Sequence, residues 1–167
     1  MEYKIYTDGS CLGNPGAGGY AAIIIDATGK CEEIFGSAPR TTNNRMEMTA
    51  AIMALKKITA EDFVELFTDS AYLKNAFTQG WLANWKRKGW LSEDKSSVKN
   101  KDLWTKLDKL VENRNIKFNW VKGHAGDSFN ERCDKIARDA ALTQKNQLSA
   151  EDNRSDKEPL YEQLTLF

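Results

Sequence analysis

Residues 6–24, which read YTDGSCLGNPGAGGYAAII, connect two predicted strands through a glycine-rich segment. Alternating apolar and polar residues at 3–7 predict the first strand, and residues 18–26 predict the second. The segment between them, residues 9–19, lacks the GK[ST] ending of a phosphate-binding loop and leads into a strand, so it predicts a hairpin loop. The fold therefore begins with neighbouring strands of one sheet.

The rest of the chain predicts strands and helices in an order typical of an α/β fold with a mixed sheet. Residues 31–37 predict a third strand, so a three-stranded meander precedes the first helix. The later segments are a helix at about 43–58, a strand at 64–68, helical segments near 70–79 and 81–88, a helix near 100–113, a strand at 116–121 and a helix near 128–143.

Four acidic residues are placed so that they can meet at one edge of this sheet. Asp8 and Asp69 each follow a strand-like run, so both are expected at C-terminal strand ends, where open α/β sheets bind ligands. Glu47 and Asp134 lie within helical segments, beside alanines rather than on charged stripes. Two helices can therefore direct carboxylates toward the same strand edge.

These four side chains are interpreted as a metal site. Carboxylates crowded together take up protons unless cations compensate their charge, and hard oxygen ligands select Mg²⁺ or Mn²⁺. Two such ions would activate a water and stabilise the leaving oxygen of a phosphoryl displacement, which indicates nuclease or polymerase-like chemistry. The alternative is that each carboxylate caps a turn or faces solvent, as single acidic residues usually do.

Four motifs stand in order along the chain: YTDGSCLGNPGAGGYAAII, TTNNRMEMTAAIMAL, FTDSAYL and NWVKGHAGDSFNERCDKIA. They resemble segments of type I ribonuclease H, the endonuclease that cuts the RNA of RNA/DNA hybrids, and the resemblance covers about residues 1–143. It implies a five-stranded mixed sheet of order 3-2-1-4-5, with the first three strands antiparallel, the last two parallel and helices on both faces. It also implies 5′-phosphate and 3′-hydroxyl products and two Mg²⁺ ions held by the four carboxylates, with Mn²⁺ as a substitute.

The resemblance also implies contacts with nucleic acid. It places contacts with RNA 2′-hydroxyls on Gly9, Ser10, Cys11 and Asn14. It also places nucleic-acid contacts and a phosphate-binding pocket at Thr42, Asn43 and Asn44. From the residues alone, Asn14 is equally suited to shaping a turn, and the three residues before the first helix are suited to capping it. Ala71 departs from the family, because many bacterial members have a glutamine there that touches the RNA.

Residues 81–101 combine three tryptophans with six basic and two acidic side chains. Interleaved rings and cations suit a nucleic-acid groove, with cations on phosphates and rings on sugars or bases. The family has a basic protrusion here, and the resemblance implies DNA-strand contacts by Trp81, Trp85, Lys86, Arg87 and Lys88. The alternative for the cations is a solvated helical face, while Trp90 and Trp104 are expected to pack the core or brace the protrusion.

The only histidine in the sequence, His124, lies between the last predicted strand and the last predicted helix. A single histidine is usually incidental, but the resemblance implies a role for this one in moving protons or assisting product release. An imidazole titrates near neutral pH, which suits that role.

Length and composition predict one globular domain. A chain of 167 residues with 41% hydrophobic content can bury a proper core. No stretch approaches the roughly 20 apolar residues of a membrane span, and the N-terminus has no signal-like segment, so a soluble, cytoplasmic protein is expected.

Three cysteines without CxxC spacing argue against a disulfide framework or a zinc site. No oligomer-forming seam is evident, so a monomer is expected.

The last part of the chain changes in composition. Residues 144–159 are polar and predict a disordered linker after a catalytic domain at 1–143. Within 144–167 the apolar side chains concentrate near the end, where QLTLF resembles the pentapeptide by which many bacterial replication and repair proteins bind the sliding clamp. Clamp binding would involve Gln163, Leu164, Leu166 and Phe167 and would concentrate the enzyme at newly made DNA. The alternative is that the tail folds back onto the domain or frays.

Two other functions stay open at this point. A hybrid-binding module without cleavage activity is disfavoured by the intact set of carboxylates. An integrase or junction nuclease of the same fold is disfavoured by the basic protrusion and the TTNN segment.

Overall fold

Five strands form one mixed sheet in the computed structural model, which describes residues 1–122 and 127–155. The strands are β1 (Glu2–Leu12), β2 (Gly16–Asp26), β3 (Cys31–Thr41), β4 (Phe63–Thr68) and β5 (Asn115–Trp120). The helices are α1 (Asn43–Lys56), α2 (Ala71–Thr78), α3 (Trp81–Arg87), α4 (Lys101–Val111) and α5 (Ser128–Ser155).

The strand order is β3-β2-β1-β4-β5, which confirms the predicted order. β1 pairs antiparallel with β2, and β2 with β3, whereas β4 runs parallel to both β1 and β5. The ladder between β1 and β4 ends with the pair Tyr6–Phe67, while the ladder between β1 and β2 continues to Leu12. Asp8 therefore lies within β1, so its predicted place at a C-terminal strand end is wrong, because the pairing with β2 continues beyond it. It does lie just past the last β1–β4 pair, beside the C-terminal end of β4, where α/β sheets bind ligands.

The first hairpin is tighter than the sequence predicts. β1 extends to Leu12 and β2 begins at Gly16, so the predicted loop over residues 9–19 is wrong for most of its length. Three residues expected in that loop are strand residues paired with β2, namely Gly9, Ser10 and Cys11. The prediction relied on apolar alternation, whereas the ladder consists of backbone hydrogen bonds, which glycine and polar residues also form.

The last helix is longer than the sequence predicts. α5 continues to Ser155, past the predicted helix end at residue 143, so the disordered linker is wrong for residues 144–155. Low apolar content argues against burial but not against a helix, and this segment contains good helix formers such as glutamine, lysine, alanine and glutamate. The Ser37 hydroxyl donates to Gln144 Oε1 at 2.8 Å and so ties β3 to the start of the extension.

Two apolar layers hold helices on opposite faces of the sheet. The larger includes Ile5, Leu66 and Trp104, all fully buried, and packs β-strands against α1, α2, α3 and α4. The smaller joins Tyr6 to Cys133 of α5, whose thiol donates to the Tyr6 carbonyl at 3.3 Å. Ile5 and Tyr6 are neighbours on β1 and point to opposite faces, so α5 lies on the face opposite α1. In the described ranges, no helix has the length and apolarity needed to cross a bilayer.

α5 lies directly on β2 at Gly19. A Cβ atom at this position would lie 2.2 Å from the Ala137 carbonyl oxygen and 2.7 Å from the Ala141 nitrogen, both in the backbone of α5. These separations are far below van der Waals contact, so only glycine permits this approach. The contact determines how close α5, and with it Asp134, comes to the sheet.

Replacing Gly19 by alanine is expected to push α5 away from β2 and to lower the free energy of unfolding by roughly 2 to 3 kcal/mol, because the added methyl group meets backbone atoms that cannot move alone. Urea unfolding followed by circular dichroism measures this loss.

Gly36→Ala is the matched control for this substitution. Gly36 also lies in a strand, but the atoms its Cβ would meet belong to the Tyr20 ring, which can rotate away. This variant is expected to lose less than about 1 kcal/mol. Equal losses for the two variants would contradict the proposed close contact at Gly19.

Candidate metal centre and nucleic-acid surface

Three carboxylates from different elements come together at the end of the β1–β4 ladder. Asp8 is on β1, Glu47 is on α1, and Asp69 directly follows β4. Each offers one oxygen, and these oxygens all lie within 4.8 Å of one another. The structure thus brings together three of the four carboxylates predicted to form a site.

Glu47 reaches Asp8 because α1 lies against the backbone of β1 at Gly9. A Cβ atom on Gly9 would lie 2.4 Å from the Glu47 nitrogen and 2.6 Å from the Met46 carbonyl carbon. The Gly9 amide also donates a hydrogen bond of 2.8 Å to Asp8 Oδ1. Gly9 therefore determines the separation of the two carboxylates and orients one of them, a structural role that the sequence did not predict.

Burial makes the ionised forms of Asp8 and Glu47 costly. Asp8 is 5% exposed and Glu47 is 4% exposed. Burial raises the pKa of Asp8 from 3.8 to about 6; a hydrogen bond with Glu47 opposes this change, and the charge of Asp69 adds to it. Burial raises the pKa of Glu47 well above 4.5, and the charge of Asp8 raises it further. At neutral pH the cluster therefore either retains a proton or requires a positive charge.

The chemistry of this cluster fits a hard divalent cation. Among the described residues, Glu47 Oε2 is a buried side-chain oxygen with no hydrogen-bond partner. Leaving a buried carboxylate oxygen unpartnered is costly, and a cation would supply the missing interaction. The donors are carboxylate oxygens, the ligand class that Mg²⁺ and Mn²⁺ prefer. Asp8, Glu47 and Asp69 are thus the residues that could hold such an ion.

Asp134, the fourth predicted ligand, lies near the cluster without joining it. It follows Cys133, which contacts β1 two residues before Asp8, and its negative charge contributes to the raised pKa of Asp8. Its carboxylate accepts a hydrogen bond from Arg138, one turn later in α5. In this conformation Asp134 is paired with a cation of its own helix and does not join the three clustered carboxylates.

Some of the predicted functional residues lie outside the described residues. These are His124 and the tail residues Gln163, Leu164, Leu166 and Phe167, whose roles stay predictions. The described chain resumes after His124 at Asp127, whose carboxylate accepts hydrogen bonds from the Phe129 and Asn130 amides at 3.0 and 3.2 Å. Asp127 therefore caps the start of α5.

The residues before α1 form the caps that their chemistry suggests. Thr42 is the N-cap, and its side chain accepts a hydrogen bond from the Arg45 amide at 3.3 Å. Asn14 Oδ1 accepts a hydrogen bond from the Asn43 amide at 2.9 Å, which holds the β1–β2 turn against α1. Capping is compatible with a contact to nucleic acid, because Asn43 is exposed and Asn44 is half-buried.

The two tryptophans predicted to line a DNA channel, Trp81 and Trp85, pack partly against the core. Trp81 and Trp85 are both half-buried, and their ring centroids lie 6.0 Å apart. The ring of Trp85 also contacts that of Trp104 at 5.6 Å. Trp104 is fully buried, which confirms its predicted packing role, and Trp90 packs against the same core. Only the solvent-facing parts of Trp81 and Trp85 remain for a ligand.

The cations of the same region differ in their availability. Lys86 forms an ion pair of 3.1 Å with Asp108, which compensates part of its charge. Arg87 is exposed and donates to Asn84 Oδ1 within its own helix at 3.0 Å, and Lys88 is exposed. Arg87 and Lys88 therefore fit the predicted phosphate-binding role better than Lys86 does.

Arg45, which the sequence pattern did not single out, joins α1 to the start of α4. Its guanidinium donates to the two carboxylate oxygens of Asp102 at 2.9 and 2.7 Å and to Asn100 Oδ1 at 3.2 Å. Asn100 in turn donates to the Tyr72 hydroxyl at 3.1 Å. A bidentate pair of this kind is geometrically specific, so it helps to position the helix that carries Glu47. The NNRMEM motif contains Arg45, but no local signal pairs it with a residue 57 positions away.

Comparison of the sequence with known proteins identifies similar chains. A sequence model of the RNase H family matches residues 1–142. The ribonuclease H of Erwinia tasmaniensis is 54% identical over 141 residues, which cover 84% of this chain and 89% of the relative.

Comparison of the structure leads to the same group of proteins. LC9-RNase H1, described as a type 1 RNase H with the type 2 active-site motif, superposes with a TM-score of 0.74 at 30% identity, covering 86% of this chain and 73% of that one. LC11-RNase H1, solved in complex with an RNA/DNA hybrid, superposes with a TM-score of 0.63 at 25% identity, covering 84% of this chain and 97% of that one.

Neutralising the carboxylate cluster is expected to stabilise the protein when metal ions are removed. Because the pKa of Asp8 is raised in the fold from 3.8 to about 6, its contribution to stability is full below pH 3.8 and is lost as the pH rises through about 6. That difference corresponds to about 3 kcal/mol. Asp8→Asn should therefore raise the free energy of unfolding by up to about 3 kcal/mol near pH 7.5 in EDTA, and by little near pH 4.

Thermal unfolding of both proteins as a function of pH measures this effect, and Glu47→Gln should act in the same direction. Asp139→Asn is the matched control, because Asp139 is exposed on α5 and paired with Lys135. A wild-type protein that becomes more stable relative to Asp8→Asn as the pH rises from 4 to 7.5 would contradict the interpretation.

Proposed function

The chain belongs to the ribonuclease H family, and we propose that it is an endoribonuclease that hydrolyses the RNA strand of RNA/DNA hybrids with the help of divalent metal ions. The observation that carries this proposal is the cluster of Asp8, Glu47 and Asp69, with its buried and unpartnered Glu47 oxygen. Members of the family normally use a divalent metal, and a solved relative binds an RNA/DNA hybrid. The substrate and the chemistry of the site therefore agree.

The proposed site would hold two Mg²⁺ ions, or Mn²⁺ as a substitute, with Asp8, Glu47, Asp69 and Asp134 as the ligands. When bound, such ions supply an activated water and a stabilising charge on the leaving oxygen, which yields 5′-phosphate and 3′-hydroxyl ends. The protein's part is to hold carboxylates on a strand, at a strand end and on two helices, so that the packed core determines their spacing. Arg138 pairs with Asp134 within α5 and compensates part of its charge.

His124 is proposed to assist the reaction without being essential. Its imidazole can donate or accept a proton near neutral pH, which suits it to protonate a leaving group or to help a product depart. It lies three residues before Asp127, the cap of the helix that carries Asp134. This position in the chain supports a role beside the metal ligands.

Substrate contacts are proposed on both sides of the cluster. The polar residues at the start of α1 include the exposed Asn43, which is suited to hydrogen bonds with sugar or phosphate. Arg87 and Lys88 supply exposed positive charge at the end of α3 for the phosphates of the DNA strand. Ser10 and Cys11, half-buried on β1, are proposed to read the RNA 2′-hydroxyls.

The purified protein is expected to cleave the RNA strand of an RNA/DNA hybrid in Mg²⁺ while leaving duplex RNA and duplex DNA intact. Asp8→Asn should lower kcat by at least about 1,000-fold, because it removes a charge from the metal ligands. His124→Ala should lower kcat by roughly 10- to 100-fold, because only proton transfer is affected. Gel analysis of end-labelled strands measures both the rates and the ends of the products.

Asp139→Asn again serves as the control, because Asp139 is an acidic residue on α5 that is not among the proposed metal ligands. Binding of the hybrid without cleavage would instead support a non-cleaving binding module. Cleavage of branched duplex DNA in preference to the hybrid would support a junction nuclease. Equal and mild effects of Asp8→Asn and His124→Ala would refute the proposed roles of these two residues.

We also propose that the QLTLF segment tethers the enzyme to the bacterial sliding clamp. The basis is the resemblance of this segment to clamp-binding pentapeptides, and it lies outside the described residues. A short peptide joined to the catalytic domain would raise the local concentration of the enzyme where hybrids from primers arise.

Calorimetric titration of the sliding clamp with this protein is expected to give micromolar binding, a range ordinary for a short peptide segment. The binding should disappear when QLTLF is removed and in the double variant Leu166→Ala with Phe167→Ala. Hybrid cleavage in the absence of the clamp should be unchanged in both variants. Lack of binding by the intact protein would reject the tether and leave the nuclease proposal in place.

A further inference from the structure

A cleft of about 320 Å³ lies beside the carboxylate cluster, between α2 and the chain that follows β5. Asp69 lines it on the side of the cluster, and Trp120 and Ala71 contribute to its walls. Lys74 lines it from α2, and Lys122 lines it from the segment after β5. Two cations from different elements therefore converge on one cleft next to a proposed metal ligand.

The charges of these two lysines are not compensated by acidic partners within the described chain. Among the ion pairs formed between residues of the ranges 1–122 and 127–155, none includes Lys74 or Lys122. By contrast, Lys117 on β5 pairs with Glu65 at 3.3 Å, and Lys86 pairs with Asp108 at 3.1 Å. Lys74 and Lys122 therefore bring positive charge to the cleft without an ion-pair partner, whereas Lys86 and Lys117 are paired with carboxylates.

Lys74 and Lys122 also differ in place from the cations predicted to bind nucleic acid. Those cations lie at the C-terminal end of α3, whereas this cleft lies between α2 and the segment after β5 and includes Asp69 itself. Because Asp69 lines this cleft, a phosphate adjacent to one cut beside Asp69 would need a positive charge there to offset repulsion from the nearby carboxylates. The short side chain of Ala71, exposed at the start of α2, leaves the cleft open to a phosphate.

We propose that Lys74 and Lys122 together bind one backbone phosphate of the RNA strand, adjacent to the phosphate that is cut. The inference rests on the proposed function, because it takes the strand at Asp69 to be the RNA strand. Lysine ammonium groups act on phosphates as mobile point charges with several donors. The pair therefore contributes to substrate affinity and to the position of the strand, without taking part in the chemical step.

The first test measures steady-state cleavage of a hybrid at several salt concentrations for Lys74→Ala, Lys122→Ala and the double variant. The double variant should raise KM by roughly 3- to 10-fold and leave kcat within about twofold of wild type. The slope of log(kcat/KM) against the logarithm of salt concentration should become shallower by about one, the value expected for the loss of one phosphate contact. Lys56→Ala is the matched control, because Lys56 is an exposed lysine at the far end of α1. The double variant Lys74→Arg with Lys122→Arg should preserve the salt dependence of kcat/KM.

A second test identifies the phosphate itself. The substrate strand carries ribonucleotides around a single cleavage position, and each neighbouring linkage is replaced in turn by an uncharged methylphosphonate. In wild type, one linkage next to the cut should raise KM when it is neutralised. In the double variant, neutralising the same linkage should have no further effect, because the phosphate and the lysines are partners in one interaction.

The outcomes separate the two proposals. If wild type does not cleave the hybrid, the proposed function fails and this inference fails with it. If wild type cleaves the hybrid but the lysine variants match Lys56→Ala in KM and salt dependence, only the phosphate site is rejected. Additive effects of the double variant and of every neutralised linkage would also reject it.

Discussion

The contact between the backbone of β1 at Gly9 and the first turns of α1 is the constraint on which the candidate site depends. Because no side chain separates the two elements, Glu47 lies beside Asp8 and the Gly9 amide can hold the Asp8 carboxylate. On the opposite face, Gly19 allows α5 to approach β2 equally closely and brings Asp134 toward the same strand end. Helices on the two faces of the sheet therefore both carry carboxylates toward Asp8, Glu47 on α1 and Asp134 on α5.

This arrangement places function and stability in opposition. Carboxylates whose pKa values are raised by burial and by neighbouring negative charge destabilise the folded protein at neutral pH, and an apolar core on each face of the sheet must offset that cost. Active sites commonly retain such unfavourable groups because the ligand compensates them. The compensating ligand proposed for this chain is a divalent cation, so metal binding is expected to stabilise the fold as well as enable the reaction.

Which charged side chains are available to a ligand depends on the ion pairs that form in the fold, not on the charges counted along the sequence. The chain has a formal net charge of zero, yet acidic groups gather at the end of the β1–β4 ladder, while several cations elsewhere in the fold are compensated by ion pairs. Lys86 and Lys117 are paired in this way, and Arg45 is paired with Asp102. Counting charges along residues 81–101 overstates the positive surface there and overlooks the two lysines of the cleft beside Asp69.

The sequence alone was sufficient for the family resemblance, because the motifs are long, and the resemblance implied the strand order that the structure has. Three of the four carboxylates that the sequence predicted to meet are those that cluster. The sequence was insufficient for the length of α5 and the first hairpin, where helix propensity and backbone pairing act without an apolar pattern. Only the tertiary structure decided which groups are partners: Glu47 beside Asp8, Asp134 with Arg138, and Arg45 with Asp102. The physical reason is that burial and electrostatic pairing depend on distances in space, which most of these residues acquire only when strands and helices pack together.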